Sequence, residues 1–498
     1  MRDFLIALDR NANKSLQAQL REVLVSAILA GHLRPGEKLP STRHLSQQLG
    51  ISRNTSVLVY QGLTDDGYLR TSERSGYFVN ETVLEMGVYN SSQPAAAVDM
   101  SLGEDARPIN WQDKILKKPA EQRNINKPRD WADLPYPFIY GQPDPTLFPI
   151  TDWRDCVYKA MGKKWLDEWS QDTLDNDDPM LVDQIRTRIL PRRGILVGED
   201  QILVTLGAQQ ALYTMASLLV GPETKIVVEE PGYPDARNIF ALRTSQIIPV
   251  QVDNEGLPVD ERLDEADIVY TTPSHQLPTT VTMTDARRRA LLEKASQQDL
   301  IILEDDYELE SNYVGKPLPA LKSLDKEERV IYMGSFSKTL FPGLRLGFVV
   351  ASRDLIREMR ALRRLMVRHP PTNNQRSTAF FLSLGYYDVF VRRLHRAYRE
   401  RWAAMGGALE RHFPGAEIIQ GMGGSSYWVR LKEAPGVDTD QLADIALDHG
   451  IMIEPGGVYF LEGADRTCFR LGFSSIDHSK IDAGLAKLAE LAQRQSRR

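Results

Sequence analysis

Cysteine is scarce: two residues, Cys156 and Cys468, in a chain of 498. They cannot make a disulfide framework, and neither has neighbours at metal-ligand spacing, so no metal site is expected. Long apolar runs are missing too. None approaches the ~20 residues that span a bilayer, and the opening "MRDFLIALDRNANKS" lacks the apolar core and cleavage site of a signal peptide. A reducing cytoplasm suits such a chain. Repeats and low-complexity tracts are also lacking, which excludes solenoids and fibrous folds. An excess of positive charge is absent: the net charge is −6, which excludes a general polyanion binder. The balance is uneven, however, at +3 for residues 1–80 and −9 for the rest.

What is present has an ordinary folded composition, 42% hydrophobic and 26% charged, over a length that calls for more than one domain. Residues 1–80 read as three short helices and a hairpin. Leu16, Leu20, Leu24, Ala27 and Ile28 recur at helical spacing up to Gly31. Ser41 caps a second helix that ends at Gly50, and Ser52 caps a third that ends near Gly67. "YLRTSERSGYFV" then folds back as two strands, completing a winged helix-turn-helix, mostly α with a β wing. Residues 81–135 lose periodicity and read as a linker.

From 136 to 498, apolar runs of six or seven residues alternate with amphipathic stretches. "QILVTL", "KIVVEE", "DIVYTT", "LIILEDD", "RVIYMGS" and "RLGFVVA" are the strand candidates. The alternation predicts an α/β body around a mostly parallel sheet, with a small α+β lobe at about 400–498. Ligands of such sheets gather at the carboxyl ends of the strands. Five unusual clusters fall there: Gly207, Pro231-Gly232-Tyr233, Pro273-Ser274-His275, Asp305-Asp306-Tyr307 and Ser335–Lys338.

The last is the most telling. In "YMGSFSKTLFPGLRLGF", Lys338 follows an apolar run between hydroxyl residues Ser335 and Ser337. Gly334 allows close backbone approach, and Arg345 offers a planar fork suited to phosphate. A desolvated lysine beside another cation has a lowered pKa and can form a Schiff base.

With Ser335-Phe336-Ser337-Lys338 and Arg345-Leu346-Gly347 as its most specific piece, the stretch 138–490 resembles the fold type I aminotransferases that use pyridoxal 5'-phosphate. The resemblance implies that Lys338 forms the internal aldimine. Ser335 and Arg345 would hold the phosphate, with Ser337 nearby and the backbone amides of Gly207, Ala208 and Gln209 at a helix start. Asp305 would face the pyridine nitrogen, with Asp306 its competitor. Tyr307 would donate to the ring hydroxyl, Tyr233 would stack on the ring, and Arg470 would take an effector's acid group. Two departures accompany it. "SHQLPTT" puts Leu277 where those enzymes carry asparagine and Thr280 where they carry glycine. "LDNDDPMLVDQI" has Asn176 and Leu181 where relatives carry a tyrosine and a glycine, the tyrosine reaching a partner's phosphate.

The first eighty residues, through "LRPGEKLPSTRHLSQQLGISRNTSVLVYQGLTDDGYL", resemble the GntR family of winged-helix regulators. That likeness implies DNA contacts from Ser52, Arg53, Asn54 and Thr55 at the start of the recognition helix, and from Arg43 on the helix before it. Arg74, Ser75 and Gly76 would form the wing tip. The two likenesses in this order resemble the MocR subfamily. It implies a regulator that binds an operator as a head-to-tail, domain-swapped homodimer. A small amine with a carboxylate or sulfonate would be sensed by forming an external aldimine; GABA-, taurine- and ectoine-derived compounds all qualify. An active aminotransferase with an added DNA-binding domain, and a DNA-binding protein whose body is only a scaffold, are the alternatives.

Overall fold

A computed structural model describes residues 8–10, 12, 14–72, 75–83, 109–172, 174–314, 318–419, 421–432, 436–461 and 465–496. The chain divides into two compact units, 1–115 and 116–498.

In the first unit, α1 (Leu16–Leu29), α2 (Thr42–Leu49) and α3 (Arg53–Asp65) are capped by Ser15, Ser41 and Ser52, whose hydroxyls accept from Ala18, His44 and Thr55 amides. Each bond satisfies one of the amides that a helix start leaves open. Gly50 ends α2 with φ +62, a left-handed turn that glycine takes without strain. The wing is β1 (Leu69–Ser72) against β2 (Gly76–Val79), in the antiparallel register Leu69↔Val79. Leu20, Leu24, Ile28, Leu45, Tyr60 and Leu63 bury their side chains in one core, each worth about 1.5–3 kcal/mol of transfer free energy.

The second unit is built on a seven-stranded sheet. Its strands are β3 (Ile202–Thr205), β4 (Ile226–Glu230), β5 (Ile247–Gln251), β6 (Ile268–Thr271), β7 (Ile301–Asp306), β8 (Val330–Ser335) and β9 (Gly347–Val350), in the order β3-β9-β8-β7-β6-β4-β5. β9 runs antiparallel to both neighbours and the other pairs are parallel. Six of these strands are the expected ones. β5 is an addition: its Pro249 argues against a strand in sequence, but an edge tolerates a residue that cannot donate. Successive β7 side chains enter different cores, Ile302 on one face and Leu303 on the other, so the sheet is covered on both sides.

A long helix, Tyr386–His412, leads to the small lobe. There β10 (Glu417–Ile419), β11 (Ser426–Arg430), β12 (Glu454–Pro455) and β13 (Cys468–Gly472) form a sheet in the order β10-β11-β13-β12. The segment expected as linker is not uniform. Residues 84–108 lie outside the described residues, whereas 116–135 belong to the body and are bonded to it. Gln122 donates to the Asn238 carbonyl and Arg123 to that of Gly457. Such polar anchoring leaves no apolar period for a sequence reading to find. Among the described residues, no helix is long and apolar enough to cross a membrane.

Candidate functional site

The carboxyl ends of β3, β4, β6, β7 and β8 bring the unusual clusters to one crevice. Lys338 stands just past β8, half-buried, with its amine 4.5 Å from the centroid of the Tyr140 ring. Burial, helped by the charge of Lys127, pulls its pKa down to about 8. At pH 7 roughly a tenth of the amine is therefore unprotonated and nucleophilic, far more than for an ordinary lysine. Gly141, at φ +77, lies beneath it: a Cβ there would meet the Lys338 nitrogen at 2.3 Å.

Asp305, the last residue but one of β7, lies on the same face as Leu303. Its Oδ2 accepts from the Tyr270 hydroxyl at 2.8 Å, and its buried Oδ1 has no partner. Burial pushes its pKa up to about 7, although the Tyr270 bond works the other way. Asp306, on the opposite face, accepts from Arg193 Nε and from the Tyr332 hydroxyl, both at 2.7 Å. Of the two competing carboxylates, Asp306 is the one committed to a structural ion pair.

At the other end of the crevice, α4 (Ala208–Leu219) starts behind Gly207, which has φ +87 and makes no side-chain cap. A Cβ on Gly207 would come within 3.4 Å of Arg345 Nη2. Arg345 is exposed, holds φ +52 and donates to the Leu206 carbonyl at 2.7 Å. Ser335 Oγ accepts from the Ser337 amide at 3.2 Å, while Ser337 Oγ is buried without a partner. The Gln209 side chain donates to Tyr233 Oη at 3.1 Å, and Tyr233 donates to Asp235 at 3.1 Å. One expected contact is differently engaged: Tyr307 donates its hydroxyl proton to the His275 carbonyl at 2.8 Å. That proton serves the loop, so donation to a ring hydroxyl would require breaking this bond.

Arg470 rises from the middle of β13, opposite Trp428 on β11 and Glu454 on β12. It is fully buried, with its guanidinium carbon 3.3 Å from the Tyr140 ring centroid. Nε donates to Ser426 Oγ at 2.8 Å, and neither terminal nitrogen makes a well-aligned hydrogen bond, the Tyr459 hydroxyl being the polar group beside them. Sequence reasoning missed Tyr140, Gly141, Tyr270, Glu308 and Glu454. The Tyr140-Gly141 pair just after the apolar Phe138-Ile139 was the only local signal available for any of them.

The departures have structural counterparts. Leu277 is buried in the aromatic cluster with Tyr140 and Tyr307. Thr280 holds φ +64 where relatives have glycine, an unusual backbone for a β-branched residue. Leu181 is part of the main core and Asn176 is exposed.

In the first unit, Ser52, Arg53, Asn54 and Thr55 occupy the first turn of α3, with Arg53 and Asn54 exposed. Ser52 is spent on capping and its hydroxyl also bonds Thr55 Oγ1 at 2.8 Å. Arg43 is exposed on α2. At the wing tip Ser75 donates to the Ser72 carbonyl and Gly76 has φ +106, whereas Arg74 lies outside the described residues.

Comparison with known proteins matches residues 177–488 to the aminotransferase class I and II family and residues 16–79 to the gntR family of bacterial regulatory proteins. The HTH-type transcriptional regulator TauR of Rhodobacter capsulatus is 42% identical over 95% of this chain and 96% of its own. The probable rhizopine catabolism regulatory protein MocR of Rhizobium meliloti is 30% identical over 97% and 95%. The chain belongs to the MocR-type transcriptional regulators. Among solved structures, the body is similar to a Pyrococcus horikoshii kynurenine aminotransferase in complex with PMP. The TM-score is 0.71 at 30% identity, covering 77% of this chain and 98% of that one.

Membership makes the first unit a DNA-binding domain and gives the body its cofactor, pyridoxal phosphate. The residues present fit that group. Asp305 Oδ1 is buried and unpartnered, as is Ser337 Oγ, and the open start of α4 meets Arg345 over a glycine whose φ of +87 other residues rarely adopt.

Proposed function

We propose that this MocR-type regulator senses a small molecule carrying both a primary amine and an acid group, and that binding in the body changes how the protein holds its operator. The carrying observation is Arg470. A buried guanidinium with neither terminal nitrogen in a well-aligned hydrogen bond is costly unless a ligand completes it. A carboxylate or sulfonate accepting two of its N–H groups would do so.

Bound pyridoxal phosphate supplies an aldehyde carbon that bonds an amine reversibly. Lys338, whose free amine is lowered to about 8, would hold it at rest and yield to the incoming amine. Arg345, Ser335, Ser337 and the first amides of α4 would hold the phosphate. Asp305 would accept the ring nitrogen's proton bond through Oδ1. Tyr233 would cover the ring, fixed by Gln209 and Asp235. On the DNA side, Arg53 and Asn54 would read base edges, while Arg43 and the wing would meet phosphates.

The regulator acts in the cytoplasm as a homodimer. Support for a second copy comes from an apolar groove of about 530 Å³ beside Arg345, lined by Tyr213, Ile239, Met366 and Val367. Leu365, next in sequence to Met366, is 84% exposed, and exposed apolar surface of this kind is what a second copy would cover.

The test is the visible absorption of the purified holo protein, titrated with small amines while operator binding is followed in parallel. A band that shifts with amine-plus-acid compounds, over the range in which DNA affinity changes, and that is absent in Lys338→Ala, is the expected result. A shift with no effect on DNA binding would sink the sensor reading, and steady conversion of an amino donor would favour an enzyme.

A further inference from the structure

The first stretch of the second unit, residues 116–135, reaches the effector site itself. Ile125 packs on the aromatic cluster that includes Tyr140, Tyr307 and Trp428. Two residues on, the Lys127 ammonium donates to the Tyr140 carbonyl and stands 3.3 Å from Glu454 Oε1. It is also 5.5 Å from the Tyr140 ring centroid. One aromatic ring is thus surrounded by three cations: Arg470 at 3.3 Å, Lys338 at 4.5 Å and Lys127 at 5.5 Å.

The nearby anions do not neutralise them fully. Glu454 is shared with the Tyr459 hydroxyl at 2.9 Å. Glu308 accepts from Ser425 Oγ, and its other oxygen has no partner. An ammonium carries three N–H donors, and the Tyr140 carbonyl and Glu454 account for two on Lys127. Arg470 contributes two buried nitrogens with no well-aligned acceptor. Two carboxylates against three cations leave this end of the crevice one negative charge short.

We propose that Lys127 is the second cation of the acid-group subsite, so that the effector's carboxylate or sulfonate is held between Arg470 and Lys127. The proposal rests on the sensor reading above, and it makes Lys127 a residue that sets specificity for acid-bearing amines. It also gives the effector a direct hold on the segment that leads to the DNA-binding unit. Capture of the acid group competes with Glu454 for the Lys127 ammonium.

The experiment uses full-length holo protein as wild type, Lys127→Met and Lys127→Arg. Visible-band titrations with β-alanine and taurine are set against n-propylamine, which has no acid group. Thermal stabilisation by ethanesulfonate, which has no amine, is measured alongside. In Lys127→Met the half-saturation for β-alanine and taurine should rise about tenfold or more, while that for n-propylamine is unchanged. Stabilisation by ethanesulfonate should vanish, and Lys127→Arg should keep most of both responses. An equal loss for n-propylamine, or no loss for the acids, would overturn the proposal and assign Lys127 to packing. If no amine shifts the wild-type band while ethanesulfonate still stabilises wild type and not Lys127→Met, the subsite stands and the sensor reading falls. Absence of ethanesulfonate stabilisation in wild type overturns the subsite.

Discussion

Asp305 and Asp306 are neighbours on β7, both buried, and they live in opposite chemical worlds. On one face of the sheet, Asp306 is held by Arg193 and Tyr332, and Arg193 is itself anchored by Ser274 Oγ at 2.7 Å. Burial alone would raise the Asp306 carboxyl, but Arg193, Tyr332 and His275 together bring it below its usual range. On the other face, Asp305 has one tyrosine and no ion pair, and burial wins, to about 7. The difference teaches how to tell frame from site. Each keeps one oxygen without a partner, so the mark is the cation: a buried carboxylate with one beside it has been provided for by the fold, while one without is kept for something that arrives.

The comparison breaks first under Arg193→Met. Stranding Asp306 without its cation should cost about 3–5 kcal/mol, read as a lowered denaturant midpoint. Asp305→Asn should stay within about 1 kcal/mol of wild type in the cofactor-free protein, yet retain pyridoxal phosphate much less well on dialysis. If the two variants exchange these phenotypes, the assignment of frame and site is reversed.

Tyr270→Phe should cost less, about 1–3 kcal/mol, because Asp305 then loses its single donor. It also sharpens the pH dependence. The folded value near 7 lies above the ordinary 3.8, so the stability linked to Asp305 is full below about 4. It is lost as pH rises through about 7. Glu304, also raised to about 7 by burial, adds to the same slope. Buried His275, held down to about 4, works in the opposite sense, so the Asp305 contribution is read as a difference: between pH 4 and pH 7 the denaturant midpoint of cofactor-free wild type should fall relative to that of Asp305→Asn.

The smallest effect is expected at Thr280, which carries φ +64 and a buried hydroxyl without a partner. Thr280→Gly should stabilise the protein by about 1 kcal/mol, measured as a small rise in melting temperature. A destabilised variant would show that threonine packing outweighs backbone strain there.

Legibility in the sequence followed locality. The caps of α1, α2 and α3 each occupy a few consecutive residues, and "SFSKTLFPGLRLG" carries Lys338 and Arg345 within one loop. The strand ends were legible because apolar runs stop abruptly at glycine, proline or charge. The acid-group end was not. Tyr140, Glu454 and Lys127 come from three separate stretches that meet only when β12 and β13 pair and the 116–135 segment lies down on them. Nothing in each stretch alone distinguishes it from a surface or core segment. Tyr270 and Arg193 were hidden for the same reason: each reads as an ordinary strand or helix-end residue until its carboxylate partner is placed beside it.

Glu229 has a consequence of another kind. Its buried carboxylate accepts from Thr271 Oγ1 and Thr272 Oγ1 at 2.6 Å, from the Thr272 amide at 3.1 Å and from Gln276 Nε2 at 3.2 Å. The loop before Leu277 is thereby shaped from β4, with residue 277 contributing only its backbone, whose amide donates to Thr272 Oγ1 and whose carbonyl accepts from Gln276. That division of labour gives the lineage freedom to rewrite one position at the mouth of the crevice while inheriting the scaffold unchanged. A leucine can then stand at 277 with the loop that presents it still held in place by Glu229.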